Sequence, residues 1–217
     1  MAMKKATKIY SLLAECIDPK PELHFSSAFE LLVAVVLSAQ CTDKNVNRVT
    51  AELWKTLHTP QDYLRLGEAK LAEAIRSIGL YHAKAKHLIA LCKMLQEEFG
   101  GVVPSTREEL MRLPGVGRKT ANVVLNCWFQ QPVIAVDTHI LRVANRLGLS
   151  NATTPDGVEQ DLMLCTPKKY LLHAHHYLLL HGRYTCRARN PLCETCVLRD
   201  HCPYRAALRQ GPDSRKL

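Results

Sequence analysis

Apolar residues recur at three- and four-residue spacing along almost the whole chain, and this pattern predicts helices nearly throughout. Ile9 to Cys16 carries the spacing and is stopped by Pro19 and Pro21. Ala28 to Ser38 is almost entirely apolar, which predicts a fully buried helix. Thr42 and Asp43 offer caps for a helix through Leu57, with Val46, Val49, Leu53 and Trp54 on one face. Gly67 to Ser77 and Tyr81 to Phe99 follow, the second ended by Gly100 and Gly101. Ser105-Thr-Arg-Glu108 fits a capping box for a short helix to Leu113. After Pro114 to Gly117 the helical pattern resumes from Arg118 to Phe129. Pro132 to Val136 reads as an extended link and a domain seam. Helices Thr138 to Leu147, Pro155 to Cys165 and Lys168 to His181 complete the series. Val133 to Val136 is the one strand candidate, and one strand makes no sheet, so the fold class is all-α.

Composition supports that reading. The 217 residues are 47% hydrophobic, which suits one domain or two closely joined small ones and argues against disorder. Only 6% are aromatic and 10 are glycine, which weakens a sandwich or barrel. The longest aliphatic run, Leu31 to Leu37, is too short to span a bilayer, and no apolar stretch follows the basic N-terminus as in a signal peptide. A soluble, cytoplasmic protein without a membrane partner is expected. The formal charge of +9 favours an anionic partner, nucleic acid before membrane. From Arg183 to Leu217 eight basic residues face three acids, a local excess of +5; a solvated basic tail reads equally well from charge alone.

Nine cysteines are present. Cys16, Cys41, Cys92, Cys127 and Cys165 sit singly in apolar helical patterns and read as small core residues. The other four crowd together as Cys186-x6-Cys193-x2-Cys196-x5-Cys202. An odd total and no signal peptide argue against disulfides. Four thiolates at this spacing satisfy either a tetrahedral zinc ion or a larger [4Fe–4S] cluster. Zinc ribbons show two Cys-x2-Cys hooks, whereas one hook flanked by wider gaps favours the cluster.

Leu113-Pro-Gly-Val-Gly-Arg-Lys-Thr120 lies between two helical stretches. Gly115 and Gly117 permit a tight turn with positive φ and a close approach to the backbone. The helix after them opens with unpaired N–H groups that attract phosphate, and Arg118 and Lys119 add positive charge. Such binding reads no sequence, because nothing reaches a base edge. A cation in the first turn meets an unfavourable dipole, which lowers its pKa, and a neutral amine is what nucleophilic attack needs. Lys119 is therefore a candidate nucleophile, with a simple phosphate contact as the alternative. Asp137, after Val133-Ile-Ala-Val136, is placed to cap the next helix. A carboxylate held ionised by capping bonds also stabilises a developing cation.

Together these segments resemble the endonuclease III family, iron–sulfur DNA glycosylases of the helix-hairpin-helix superfamily. The resemblance runs from about Ile9 to Tyr204. It rests on Leu37-Ser-Ala-Gln-Cys-Thr-Asp43, Ile78-Gly-Leu-Tyr81, Leu113-Pro-Gly-Val-Gly-Arg-Lys-Thr-Ala121, Val136-Asp-Thr-His-Ile140, His181-Gly-Arg-Tyr-Thr-Cys186 and the cysteine spacing. It implies two helical domains flanking a DNA-binding cleft. Residues 21–131 would form a six-helix domain with the helix-hairpin-helix near 105–129; residues 1–20 with 132–217 would form the cluster domain. Lys119 and Asp137 match the catalytic pair and would face each other across the cleft. Gln40 and Leu80 match residues inserted into the duplex where a base has left. Cys186, Cys193, Cys196 and Cys202 would hold a [4Fe–4S] cluster, folding the loop so that Arg187 and Arg189 meet phosphates.

The implied activity is base-excision repair by a monomer acting on double-stranded DNA with a damaged base or an abasic site. A base inside a duplex must be flipped out, at roughly a few kcal/mol, and oxidised pyrimidines stack poorly. Lys119 would attack the sugar C1′, form a Schiff base, and cut the strand by β-elimination, with Asp137 supporting charge on the sugar. A monofunctional adenine glycosylase of the same superfamily lacks the lysine nucleophile and carries an added C-terminal domain. Only fifteen residues follow Cys202 here. A non-enzymatic, cluster-stabilised DNA-binding module and a zinc-bound adaptor are further alternatives. In His173-Ala-His-His176 packing or surface roles are preferred to metal binding, because the spacing on one helix face is poor.

Overall fold

The computed structural model describes residues 2–209, so Asp213, Arg215 and Lys216, counted in the basic C-terminal charge, lie outside the described residues. Among the described residues the fold is all-α, with no strand. Two compact units are formed: Pro21–Gln131 is one, and the segments before Pro21 and after Gln131 form the other.

In the unit Pro21–Gln131, α2 (Ala28–Ser38) is the central helix, and every residue from Phe29 to Leu37 is buried. That explains its unbroken apolar run: neighbours surround it, so it needs no polar face. It packs against α3 (Asp43–Leu53), α6 (Tyr81–Glu98) and α8 (Arg118–Cys127). Ser27 caps its start by accepting from the Glu30 N–H at 3.1 Å. The buried Glu30 carboxylate accepts from the Ser26 N–H and hydroxyl at 2.6 and 2.7 Å. α4 (Pro60–Leu66), α5 (Glu68–Ala74) and α7 (Arg107–Arg112) complete the unit.

The unit therefore has seven helical segments where the pattern predicts six. The extra one is α4. The predicted helix through Leu57 ends at Leu53, and Thr59 then opens α4 with a capping box to Asp62 and Pro60 in the first turn. α7 is capped one residue later than expected: Thr106, not Ser105, accepts from Glu109 N–H at 3.3 Å and donates to its carboxylate at 2.6 Å.

The other unit holds α1 (Ala2–Cys16), α9 (Thr138–Leu147), α10 (Pro155–Cys165), α11 (Lys168–Tyr184) and α12 (Pro203–Arg209), with a 3₁₀ turn at Arg199–His201. Ile9, Tyr10 and Leu13 of α1 enter the same core as Ile140, Val143 and Leu147 of α9 and Leu178 of α11. α9 and α11 approach closely at Gly182, where a Cβ would lie 3.0 Å from both His139 Cβ and Val143 Cγ2. His175 and His176 are buried, and the His175 Nδ1 pairs with the Ala135 carbonyl at 3.0 Å, so these histidines pack. No helix among the described residues is long and apolar enough to cross a membrane.

The single cysteines differ from one another. Cys92 is fully buried, as the pattern predicts, and burial pushes its thiol up to about 12. Cys16 is exposed and Cys41 only half-buried, because Cys16 ends α1 and Cys41 stands in the turn after α2.

Candidate functional site

The hairpin between α7 and α8 is shaped by two glycines with different jobs. Gly115 has φ +79, and a Cβ there would press to 3.1 Å on His87 Cβ. Gly117 corrects the expectation of positive φ at both positions: its φ of −94 and ψ of 178 are extended, and any residue adopts them. A Cβ at Gly117 would meet nothing within 4 Å. What Gly117 supplies is unobstructed access to the N–H groups that open α8, where it is the N-cap and offers no side chain of its own. Leu113 and Val116 are buried and anchor the turn from inside. Arg107 of α7 donates to the buried Asn122 of α8 at 2.9 Å, which fixes the two helices to each other. Arg118 and Lys119 occupy the first turn of α8, and Lys119 is exposed.

Asp137 is the N-cap of α9, and its Oδ1 accepts from the Ile140 N–H at 2.8 Å. The buried Ile134, Ala135 and Val136 precede it, so the carboxylate sits half-buried at the end of an apolar link. Lys119 belongs to the unit Pro21–Gln131 and Asp137 to the other.

Gln40 and Leu80 share an unusual backbone. Both are left-handed, with φ of +55 and +59, and they are two of four non-glycine residues with positive φ among the described residues. Left-handed backbone is uncommon for a side chain as bulky as leucine, and such strain clusters at functional sites. Leu80 is also 62% exposed, so its side chain is not held by packing.

The four clustered cysteines come together. Cys186, Cys193, Cys196 and Cys202 line one pocket, walled also by Leu147, His181, Pro191 and Leu192. Among the described residues no three His, Cys, Asp or Glu side chains gather around one point as a lone metal ion requires. Four thiols lining one pocket supply the donor set that an iron–sulfur cluster takes. Burial and the neighbouring thiols push Cys193 and Cys196 up. An iron–sulfur cluster held by these four residues would reverse this and keep them as thiolates. Burial drives His181 down to about 4, so a neutral imidazole stands 3.8 Å from Cys196 Sγ.

Arg187 and Arg189 lie exposed on the loop that leaves Cys186. Arg205 of the same basic segment turns inward: its side chain is 9% exposed and pairs with Glu194 at 3.0 Å and Asp200 at 3.7 Å. It contributes structure there, not surface charge. Sequence reasoning missed what holds the loop. Arg142 of α9 donates to the carbonyls of Gly182 and Cys186 at 2.9 and 3.1 Å. Arg146, one turn later, donates to those of Arg187 and Ala188 at 2.8 and 3.2 Å and lies over the Tyr204 ring. The available signal was a pair of arginines four apart on the polar side of an amphipathic helix.

Residues 33–168 match the HhH-GPD superfamily of base excision DNA repair proteins, and residues 186–202 match the iron–sulfur binding domain of endonuclease III. The chain is 56% identical to endonuclease III of Treponema pallidum over 185 residues, 85% of this chain and 88% of the relative. It is 50% identical to that of Escherichia coli K12 over 187 residues, 86% of this chain and 89% of the relative. A solved structure of a trapped endonuclease III–DNA covalent intermediate superposes with a TM-score of 0.90 at 43% identity, covering 97% of this chain and 99% of that one. The chain belongs to the endonuclease III family. It is a base-excision repair enzyme with DNA glycosylase and abasic-site lyase activity. Its iron–sulfur binding segment runs from Cys186 to Cys202.

Proposed function

We propose that the chain acts as a monomer on double-stranded DNA, removes oxidised pyrimidines through a Schiff base on Lys119, and then cleaves the abasic strand. The observation that carries this reading is the place of Lys119, exposed in the first turn of α8 directly behind the Gly115–Gly117 hairpin. The hairpin N–H groups hold a backbone phosphate and fix the register of the duplex without reading bases. The lysine amine attacks C1′; the C1′–N bond breaks and its electron pair leaves with the base. The C1′–O4′ bond then opens, its electron pair going to O4′, which takes a proton, and the imine so formed acidifies the C2′ proton. Its loss expels the 3′ phosphate by β-elimination. Asp137, oriented by the Ile140 N–H, stabilises positive charge on the sugar and takes a proton from the amine. Gln40 and Leu80 fill the place of the flipped nucleotide. That a relative is known as a trapped covalent intermediate with DNA supports a covalent route.

Residues 21–131 serve in this reading as the hairpin domain, and residues 1–20 with 132–217 as the cluster domain. Cys186, Cys193, Cys196 and Cys202 hold a [4Fe–4S] cluster, whose part is to fold the loop that carries Arg187 and Arg189 toward phosphates. The protein works in the cytoplasm, on the DNA there. Borohydride trapping tests the reading: wild-type protein gives a covalent adduct on a duplex with an oxidised pyrimidine, and Lys119→Gln gives neither adduct nor strand cleavage. Full cleavage by Lys119→Gln would show that the nucleophile is another residue. Base release without any adduct would establish a monofunctional glycosylase instead.

A further inference from the structure

Lys84 is 4% exposed, one of the few buried charged residues in the molecule. It stands on the first turn of α6, four residues after Leu80, whose carbonyl accepts its backbone N–H at 3.0 Å. Its ammonium donates to the carbonyls of Leu37 and Ala39 at 2.9 and 2.6 Å. Those carbonyls belong to the end of α2, which lacks further helical partners, and Gln40 follows Ala39 directly. A lysine at this end of a helix also meets the negative pole of its dipole. One buried side chain thus joins the turn that carries Gln40 to the turn that carries Leu80. Burial lowers its pKa, and the neighbouring Cys41 opposes that shift.

A second tie lies at the surface. Asn45 donates to the Ser77 carbonyl at 3.0 Å, and Arg48 to the Ser77 hydroxyl at 2.9 Å and to Asn45 Oδ1 at 2.8 Å. Two bulky or polar residues held left-handed at once need a surround that over-determines them, since each would relax if its turn were free. The first turn of α6 is tied to the end of α2 inside the fold, and the turn before α6 is tied to α3 at the surface. The braces end on Leu37, Ala39 and Ser77, which stand close in sequence to the two left-handed residues.

We infer that Lys84 is a positioning residue: it locks the Gln40 and Leu80 turns together so that both side chains are presented as one preformed wedge. The inference rests on the proposed insertion of Gln40 and Leu80 into the duplex. A preformed wedge fills the gap as the nucleotide leaves; a loose one must first be ordered, and that ordering is charged against base extrusion. An abasic nucleotide has no base to unstack, so strand cleavage at an abasic site depends on the wedge far less.

The test compares single-turnover rates on a duplex with a paired oxidised pyrimidine and on one with an abasic site, for wild type, Gln40→Ala, Leu80→Ala, Lys84→Met and Lys84→Arg. Lys84→Met keeps the length and removes the donor. It is expected to lose roughly tenfold on the paired lesion, as for two bonds to a charged donor, and less than about threefold on the abasic site. Lys84→Arg, which retains a donor, is expected to recover part of the lost ratio. Gln40→Ala and Leu80→Ala are expected to show the same selective loss. If they do and Lys84→Met loses both activities equally or neither, the positioning role is wrong and the wedge stands. If Gln40→Ala and Leu80→Ala show no selectivity, the wedge reading fails and takes this inference with it. Should Lys84→Met not fold, Asn45→Ala removes the surface brace without touching the core. A smaller loss with the same selectivity supports the bracing, and unchanged rates on both substrates overturn it.

Discussion

Substituting alanine at the two hairpin glycines separates a conformational requirement from a contact requirement. At Gly115 the new Cβ must adopt φ near +79, which costs an L-residue about 1–2 kcal/mol. It must also displace His87, whose Cβ lies 3.1 Å and whose Cγ lies 3.4 Å from the added atom. His87 is on α6 and its Cβ moves only with the helix, so the contact adds roughly 1–3 kcal/mol as an overpacked site does. Gly115→Ala should therefore lose roughly 2–5 kcal/mol, or about 4–20 °C in melting temperature for a chain of this size. At Gly117 the backbone is already extended and a Cβ meets nothing. Alanine is a poorer N-cap than glycine but restricts the unfolded chain, so Gly117→Ala should stay within about 1 kcal/mol of wild type. Its methyl group stands beside the N–H groups that open α8, and duplex affinity should fall roughly tenfold, the worth of one hydrogen bond to a charged group. Thermal melting followed by circular dichroism and fluorescence-anisotropy titration with undamaged duplex read the two quantities. Gly115→Asn, which tolerates the left-handed region, should be less destabilising than Gly115→Ala. Equal melting temperatures for Gly115→Ala and Gly117→Ala would refute the division of roles.

The carboxylate at 137 divides in the same way: Asp137→Asn should keep the cap and its melting temperature while slowing base release by about 3–4 kcal/mol in the barrier, and Asp137→Ala should also lose about 1 kcal/mol of stability. Equal melting losses for the two would show that capping is not what Asp137 contributes to stability. Purified protein should contain about four iron and four acid-labile sulfide per chain, as the cluster type requires; stoichiometric zinc in anaerobic preparations would overturn the cluster. Arg187→Ala with Arg189→Ala should flatten the slope of log K against log[salt] by about 0.9 for each phosphate left without its arginine. Arg205→Ala should instead lower stability and leave the slope unchanged, because that guanidinium already faces Glu194.

What the sequence determined by itself was local. The apolar run of α2, the cap at Asp137 and the glycine stop after α9 are properties of neighbouring residues, and the structure bears them out. The spacing of the four cysteines is local too, since they span one loop, and they do line one cavity. Seven-residue α4 was lost because its cap and proline are visible only once α3 is known to end at Leu53. Tertiary structure alone decided which charges face water. Lys84 and Arg205 look like any surface cation in sequence, yet one is buried on the carbonyls that end α2 and the other on Glu194. It also decided that Gln40 and Leu80 are left-handed, which no propensity of glutamine or leucine suggests. The reason is the same in each case. Helical periodicity and capping act over four residues, whereas Lys84 reaches partners 45 and 47 positions away, and only the closed fold brings those carbonyls within reach of its ammonium.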